Sequence, residues 1–320
     1  MTELSREILE HWQVRNTKKQ KAAFREFLQS RLPGLTMEEG GLARSKNLVL
    51  GDPDTAQVVF SAHYDTCTTL PFPNFLTPKN VPLYILYNLL ICVVLFLAVG
   101  LASFLTARLT HSPLAAYFIS LAVCFLMLML FFAGKPNPHT ANDNTSGVIA
   151  LCEIYDALTE EERKKAALVF FDNEELGLFG SRQFLKRHKA AMGQTLLINL
   201  DCVSDGDQLM MIWNKAAQKE WEAPLKAAFM AEVPVGKTVL WERASRTLYP
   251  SDQMGFPCYA AVAAFRKKKF LGLYMSRIHT KKDTVFEEEN ILWLRQSARR
   301  LADALSGQES GTPCSEFERA

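Results

Sequence analysis

No CxxC pair occurs in the 320 residues, and the seven cysteines are an odd number. That excludes a zinc-finger pattern and a paired disulfide framework, and it fits a reducing compartment. Charge of one sign is lacking too. Lys and Arg total 36 against 34 Asp and Glu, a formal net charge of +2. So even a balance gives no electrostatic case for nucleic acid as the main partner. The opening MTELSREILEHWQVRNTKKQ has no apolar core of the kind a signal peptide needs, so no secretory signal is expected.

Long hydrophobic runs, by contrast, are present and concentrated. Residues 83–105 and 114–134 carry no charge, and each is about the length of roughly 20 residues needed to cross a bilayer. Neither has a polar face. Between them lies a short connector, residues 106–113, with Arg108 as its one firm positive charge. The pattern predicts a transmembrane helical hairpin, with a buried helical pair as the alternative. Two crossings return the chain to the side it left, so residues on either side of the hairpin can share one site. The positive charges outside the connector predict a body on the cytoplasmic side.

The rest of the chain alternates between strand and helix signals, which predicts an α/β fold with a mixed central sheet flanked by helices. Strands are expected at 46–50, 57–62, 167–171, 195–200, 208–213, 238–241 and 257–265. Helices are expected at 4–32 (one or two), 148–158, 179–188, 215–231 and 287–305. The body is then one domain, 1–82 plus 135–306, with the hairpin 83–134 inserted and a polar, disordered tail at 307–320. Arg266 to Lys269 are four consecutive positive charges. Such a run is usually solvated, or it lies against anionic headgroups beside the hairpin.

Acids and histidines gather where these strands end. The apolar run AALVFF stops at Asp172-Asn173-Glu174-Glu175. Strand 57–62 runs into His63-Tyr64-Asp65, in which the Asp is placed to orient the imidazole. Strand 195–200 ends in Asp201. Asp143 precedes the helix at 148–158, and Asn144, Thr145 and Ser146 read as its N-terminal caps. His279 follows the last strand. Ligands in α/β sheets bind beyond the carboxyl ends of strands. Two histidines with several carboxylates suit a pair of borderline divalent ions, most simply zinc.

The stretches HYDT, NDNTSGV, EELGLFGS, NLDCVSDGD, SDQMGFP and IHTKKDT occur in that order. On them the chain resembles the M28 family of zinc-dependent metallopeptidases, whose best-known members are co-catalytic di-zinc aminopeptidases. The resemblance implies a zinc-exopeptidase-like fold and two Zn2+ per chain. It implies Asp143 as the bridging ligand, His63 and Asp201 on one metal, and Glu175 and His279 on the other. Glu174 would be the general base, Asp65 would orient His63, and Tyr249 would hydrogen-bond the developing oxyanion. Gln253 departs from the family, which often has His there. The expected partners are a peptide substrate and, through the hairpin, the lipid bilayer; the oligomeric state stays open. Two other readings compete. A glutaminyl-peptide cyclotransferase has a related fold but generally binds one zinc and lacks the DNxSG and EELGLxGS forms. A non-catalytic scaffold of the same fold typically loses ligands, and none is lost here.

Overall fold

The computed structural model describes residues 1–132 and 134–307. The tail expected to be disordered falls, beyond Gly307, outside the described residues. The chain opens with helices α1 (Glu3–His11) and α2 (Lys18–Arg31). Thr2 caps the first by accepting from the Ser5 amide, and Thr17 with Gln20 forms a capping box on the second. Ile8, Phe24 and Leu28 are buried, while most of the basic face is not. Lys21 is the exception, because it is drawn in to a carboxylate described below.

Strands β1 (Thr36–Gly40), β2 (Ser45–Leu50) and β3 (Val58–His63) follow. Then come helices α3 (Val81–Thr110) and α4 (Pro113–Phe132), helix α5 (Gly147–Ala157) and the short α6 (Glu160–Arg163). Strand β4 (Ala166–Phe171) leads to α7 (Phe179–Arg187), α8 (Lys189–Met192) and β5 (Leu196–Leu200). The chain closes with β6 (Gln208–Trp213), α9 (Lys215–Met230), β7 (Thr238–Arg243), β8 (Tyr259–Lys268), β9 (Gly272–Tyr274) and α10 (Glu288–Ser306).

The strands form one mixed sheet in the order β1-β2-β4-β3-β5-β8-β6-β7, with β9 added on β8. The four middle strands, β4, β3, β5 and β8, are mutually parallel, and antiparallel β2 and β6 bracket them. All six residues of β3 and all six of β4 are buried, as expected of parallel strands covered on both faces. Their side chains alternate. Phe60, Leu168 and Phe170 pack with α1, α2, α5 and α10, while Val59, Val169 and Phe171 pack with Phe184 of α7 and Met192 of α8. Truncating such a buried phenylalanine costs about 3–5 kcal/mol, so these strands fix the sheet on which the site stands.

The hairpin differs in its bounds from the sequence reading. Helix α3 starts two residues early, at Val81, and runs through most of the expected connector to Thr110. Asn80 caps it by accepting from the Leu83 amide at 3.2 Å, and His111, in a left-handed conformation at φ 53°, ends it. No α3 residue is buried. The two ends of the excursion meet at its root. The Thr69 amide donates to the Lys135 carbonyl at 2.8 Å, and the Asn137 amide to that of Cys67 at 3.1 Å. The helices therefore leave and return at one point without interrupting the sheet.

Candidate metal centre

The parallel strands deliver His63, the Glu174–Glu175 turn and Asp201 to one end of the sheet, from β3, β4 and β5. Asp143 is brought there by the segment before α5. Asn142 accepts from the amides of Ser204 and Asp205 at 2.8 and 3.0 Å. Asn144 donates to the Leu200 carbonyl at 3.0 Å and accepts from the Gly147 amide at 3.0 Å. Ser146 accepts from the Val203 amide at 3.0 Å. Asn144 thus caps the first amide of α5, as expected, while the reading of Thr145 and Ser146 as helix caps is corrected. Ser146 makes no cap bond, Thr145 accepts from the buried Arg15 at 3.1 Å, and Asn144 and Ser146 tie the segment to the turn after β5. Gly147 makes the approach possible, because a Cβ there would lie 2.3 Å from the Leu200 carbonyl oxygen.

The acidic turn after β4 is held as firmly. Lys21 of α2 donates to Asp172 and Asn173, both at 2.6 Å. The Asp65 carboxylate accepts from the amides of Glu174 and Glu175 at 3.0 and 3.2 Å. The expected role of Asp65 is thereby changed. Nδ1 of His63 faces the Asp65 backbone carbonyl at 3.0 Å, with the carboxylate at 3.7 Å. That carbonyl bond fixes the tautomer that leaves Nε2 free as a ligand. Asn173, Leu178, Cys202 and His279 all have positive φ, between 56° and 61°. Such backbone is uncommon in residues other than glycine and gathers at functional sites.

The atoms of the expected ligands fall into two sets that share Asp143, and His63 also groups with Glu174 and Glu175 within 4.8 Å. Nε2 of His63 lies 3.4 Å from Asp143 Oδ1 and 3.5 Å from Asp201 Oδ1. Nε2 of His279 lies 3.1 Å from Asp143 Oδ2 and 3.4 Å from Glu175 Oε2. Asp143 thus turns one oxygen to each set. His63, Asp143 and Asp201 offer ligand atoms within 4.8 Å of one another, and so do Cys67, Asp143, Glu175 and His279. Asp201 Oδ1 and Glu175 Oε1 are buried and lack a hydrogen-bond donor. Unsatisfied buried carboxylate oxygens beside two imidazoles are what cation ligands look like without the cation. The residues fit a pair of divalent ions.

The electrostatics agree. Burial pushes Glu174 well above the usual carboxylate range; His63 opposes the shift, and Glu175 and Asp252 add to it. Burial raises Glu175 to about 8 and Asp252 to about 7. Burial also works against the charged histidines, yet Glu175 and Asp143 raise His279 to about 9. Asp143 stays below the usual range, because the hydrogen bonds from His279 and His63 outweigh its burial. This is a cluster with more negative than positive groups, poised to take up positive charge.

Glu174, His63 and Asp201 open on a cavity of about 290 Å³, walled also by Tyr84 of α3, Tyr249 and Ile278. The Tyr249 hydroxyl donates to the Asp201 carbonyl at 2.8 Å. Gln253 lies beneath it, donating to the Tyr249 carbonyl at 2.8 Å and accepting from Asn199 at 3.1 Å. Sequence reasoning missed Asp283. Its carboxylate accepts from the amides of Asn142 and Asp143 at 2.9 and 3.0 Å, which holds the Asp143 backbone in place. Its presence in the IHTKKDT stretch was the available signal. Nothing in the sequence pointed to Lys21 or Arg15.

The sequence profile of peptidase family M28 matches residues 126–300, more than half of the chain. The chain belongs to the M28 peptidase family. The matched residues include Asp143, Glu174, Glu175, Asp201 and His279; His63 and Asp65 precede them. No curated protein matches the sequence. Among solved structures, a Porphyromonas gingivalis glutaminyl cyclase is similar over 94% of this chain and 96% of its own, at 15% identity and TM-score 0.58. The Legionella pneumophila aminopeptidase LapA is similar over 96% of this chain and 69% of its own, at 11% identity and TM-score 0.55. A Fimbriiglobus ruber glutaminyl cyclase covers 93% of each chain at 13% identity and TM-score 0.52. These likenesses show the fold: this M28 member is a mixed α/β protein of the exopeptidase and glutaminyl cyclase type.

Proposed function

We propose that this M28 member is a membrane-anchored exopeptidase with two zinc ions per chain, removing residues from the amino end of peptides. The observation that carries the reading is Asp143, whose two oxygens face two separate ligand sets. His63 and Asp201 would complete one ion's protein ligands, and Glu175 and His279 the other's. Bound divalent ions supply Lewis acidity and make water a nucleophile near neutral pH. Glu174, raised by burial, accepts the proton of the attacking water and later delivers one to the leaving amine. Asp65 holds the Glu174 amide and so keeps the base in place. The Tyr249 hydroxyl, at the cavity wall, can turn from the Asp201 carbonyl to the developing oxyanion.

The anchoring rests on α3 and α4, two helices long and apolar enough to cross a membrane. The lone Arg108 of the connector, against the many cations of the body, supports a body on the cytoplasmic face. Because Tyr84 in the first turn of α3 walls the cavity, the root of the anchor borders the substrate path.

A glutaminyl cyclotransferase is the second reading, favoured by the likeness in fold to the P. gingivalis enzyme along nearly all of both chains. A second ligand set, Asp143–Glu175–His279, beside His63–Asp143–Asp201 weighs against a single-ion enzyme. The test is amino-acid release from a panel of aminoacyl-anilides by the detergent-purified chain, with and without zinc, beside cyclisation of glutaminyl peptides. Zinc-dependent release supports the exopeptidase. Cyclisation without release assigns the chain to the cyclotransferases, and neither activity in the zinc-loaded chain leaves the scaffold.

A further inference from the structure

The basic run, for which the sequence left a solvated face and a headgroup contact open, lies on a strand and its turn. Arg266, Lys267 and Lys268 belong to the end of β8, which turns over at Lys269–Leu271 into β9. Arg266 is bound inward, donating to Asp205 at 2.6 Å. The other three cations are exposed, and none has an ion-pair partner among the described residues. Phe270 stands at the tip, 87% exposed. The Lys269 ammonium lies 5.8 Å from the centroid of the exposed Phe270 ring. Exposed cations around an exposed aromatic ring match a membrane surface, where lysines meet anionic headgroups and a ring enters the acyl boundary.

Position favours the same occupant. Lys268 lies over the Tyr274 ring at 5.4 Å. Tyr274 lies 6.3 Å from Phe75, and Phe75 lies 5.2 Å from Tyr87 in α3, centroid to centroid. Tyr87 in turn donates to the Pro73 carbonyl at 2.8 Å. The tip is thus joined by a chain of aromatic rings to the second turn of the anchor helix. Tyrosines at such a level are typical of a membrane–water boundary. Met275 and Ile278, directly after β9, wall the catalytic cavity.

We propose that the β8–β9 tip, Lys267 to Leu271, is a second membrane contact that docks on an anionic bilayer beside the root of α3. It rests on the reading of α3 and α4 as membrane-spanning. With two contacts the body cannot swivel on its anchor, and the cavity mouth is held at a fixed height and tilt above the headgroups. A substrate presented at that surface would be favoured over one free in solution.

The test uses the full chain in nanodiscs of phosphatidylcholine, with or without phosphatidylserine, and p-benzoylphenylalanine placed at position 270 or, as a control, at position 97 within α3. Illumination should give lipid adducts from position 97 in both discs. Position 270 should give adducts in the phosphatidylserine discs, at least fivefold fewer in phosphatidylcholine alone, and similarly fewer after Lys267→Gln, Lys268→Gln and Lys269→Gln together. Adducts at 97 with none at 270 would overturn the tip contact and leave the anchor standing. Equal adducts at 270 in both discs would overturn recognition of anionic lipid. No adducts at 97 would overturn the anchor, and the tip contact with it.

Discussion

At the carboxyl ends of β3, β4 and β5, carboxylates crowd together inside the protein, on backbone held by hydrogen bonds with Asn142, Asn144, Asp65 and Asp283. Along α3 and α4 the opposite holds: large apolar side chains such as Phe96, Leu97 and Phe104 are exposed and pack against nothing in the body. Each region is costly by itself in water. The first leaves buried carboxylate oxygens unsatisfied, and the second leaves two helices of hydrocarbon exposed. On the proposed reading each cost is relieved by something outside the chain, a pair of cations in one case and a bilayer in the other. What a region lacks internally is then a guide to what it would bind.

The contrast breaks first at Glu174, which is crowded like a ligand but assigned to move protons. Glu174→Gln should lower turnover by about 10²–10⁴-fold while bound metal, measured on the same preparation, stays unchanged. Parallel loss of metal would make it a ligand instead. On the other side of the comparison, Leu97→Lys puts a charge into the middle of α3. It should disfavour insertion by about 3 kcal/mol, read as the fraction of chain extracted from membranes by alkali. No change would place α3 outside the hydrocarbon.

Gly147→Ala sharpens the claim that packing, not the ions, places Asp143. The added carbon meets the Leu200 oxygen at 2.3 Å, so we expect a loss of about 1–3 kcal/mol in thermal unfolding even without zinc. Protons give the smallest effect. With His279 raised to about 9, the imidazole of the metal-free protein keeps its proton below that pH. A group so raised stabilises the metal-free fold fully below about pH 6.5, its unfolded value, and loses that contribution as pH rises through about 9. Zinc must displace the proton, so apparent affinity should climb towards pH 9 and calorimetry in two buffers should show proton release. Binding with no proton release would contradict the assignment of His279.

Much of this was legible in the sequence because hydrophobic pattern and strand position coincide. AALVFF reads as a buried strand, and its acids sit where the chain leaves the sheet. Strands β1 and β9 were not legible. Thr36–Gly40 carries two glutamates and a glycine, and pairing with β2 is what makes it a strand. Gly272–Tyr274 is three residues long and exists through β8. The acids and histidines of the site could be singled out because His63, Glu174, Glu175 and Asp201 leave recognisable strands and Asp143 opens a helix, while the roles given to them came from the resemblance. Lys21 and Arg15 could not, because they reach the site across long stretches of chain, while Asp283 lay within a quoted stretch and was passed over. The two functions of Asp65 were also hidden, since the sequence shows an acid near a histidine but not which of its oxygens the imidazole meets.

The central claim is that one carboxylate serves two ions, and metal analysis tests it most directly. The full chain, loaded with zinc and freed of excess, should hold two ions, while His63→Ala and His279→Ala should each hold one and Asp143→Ala none tightly. One ion in the parent chain, or a His63→Ala variant that retains its full complement, would contradict the account.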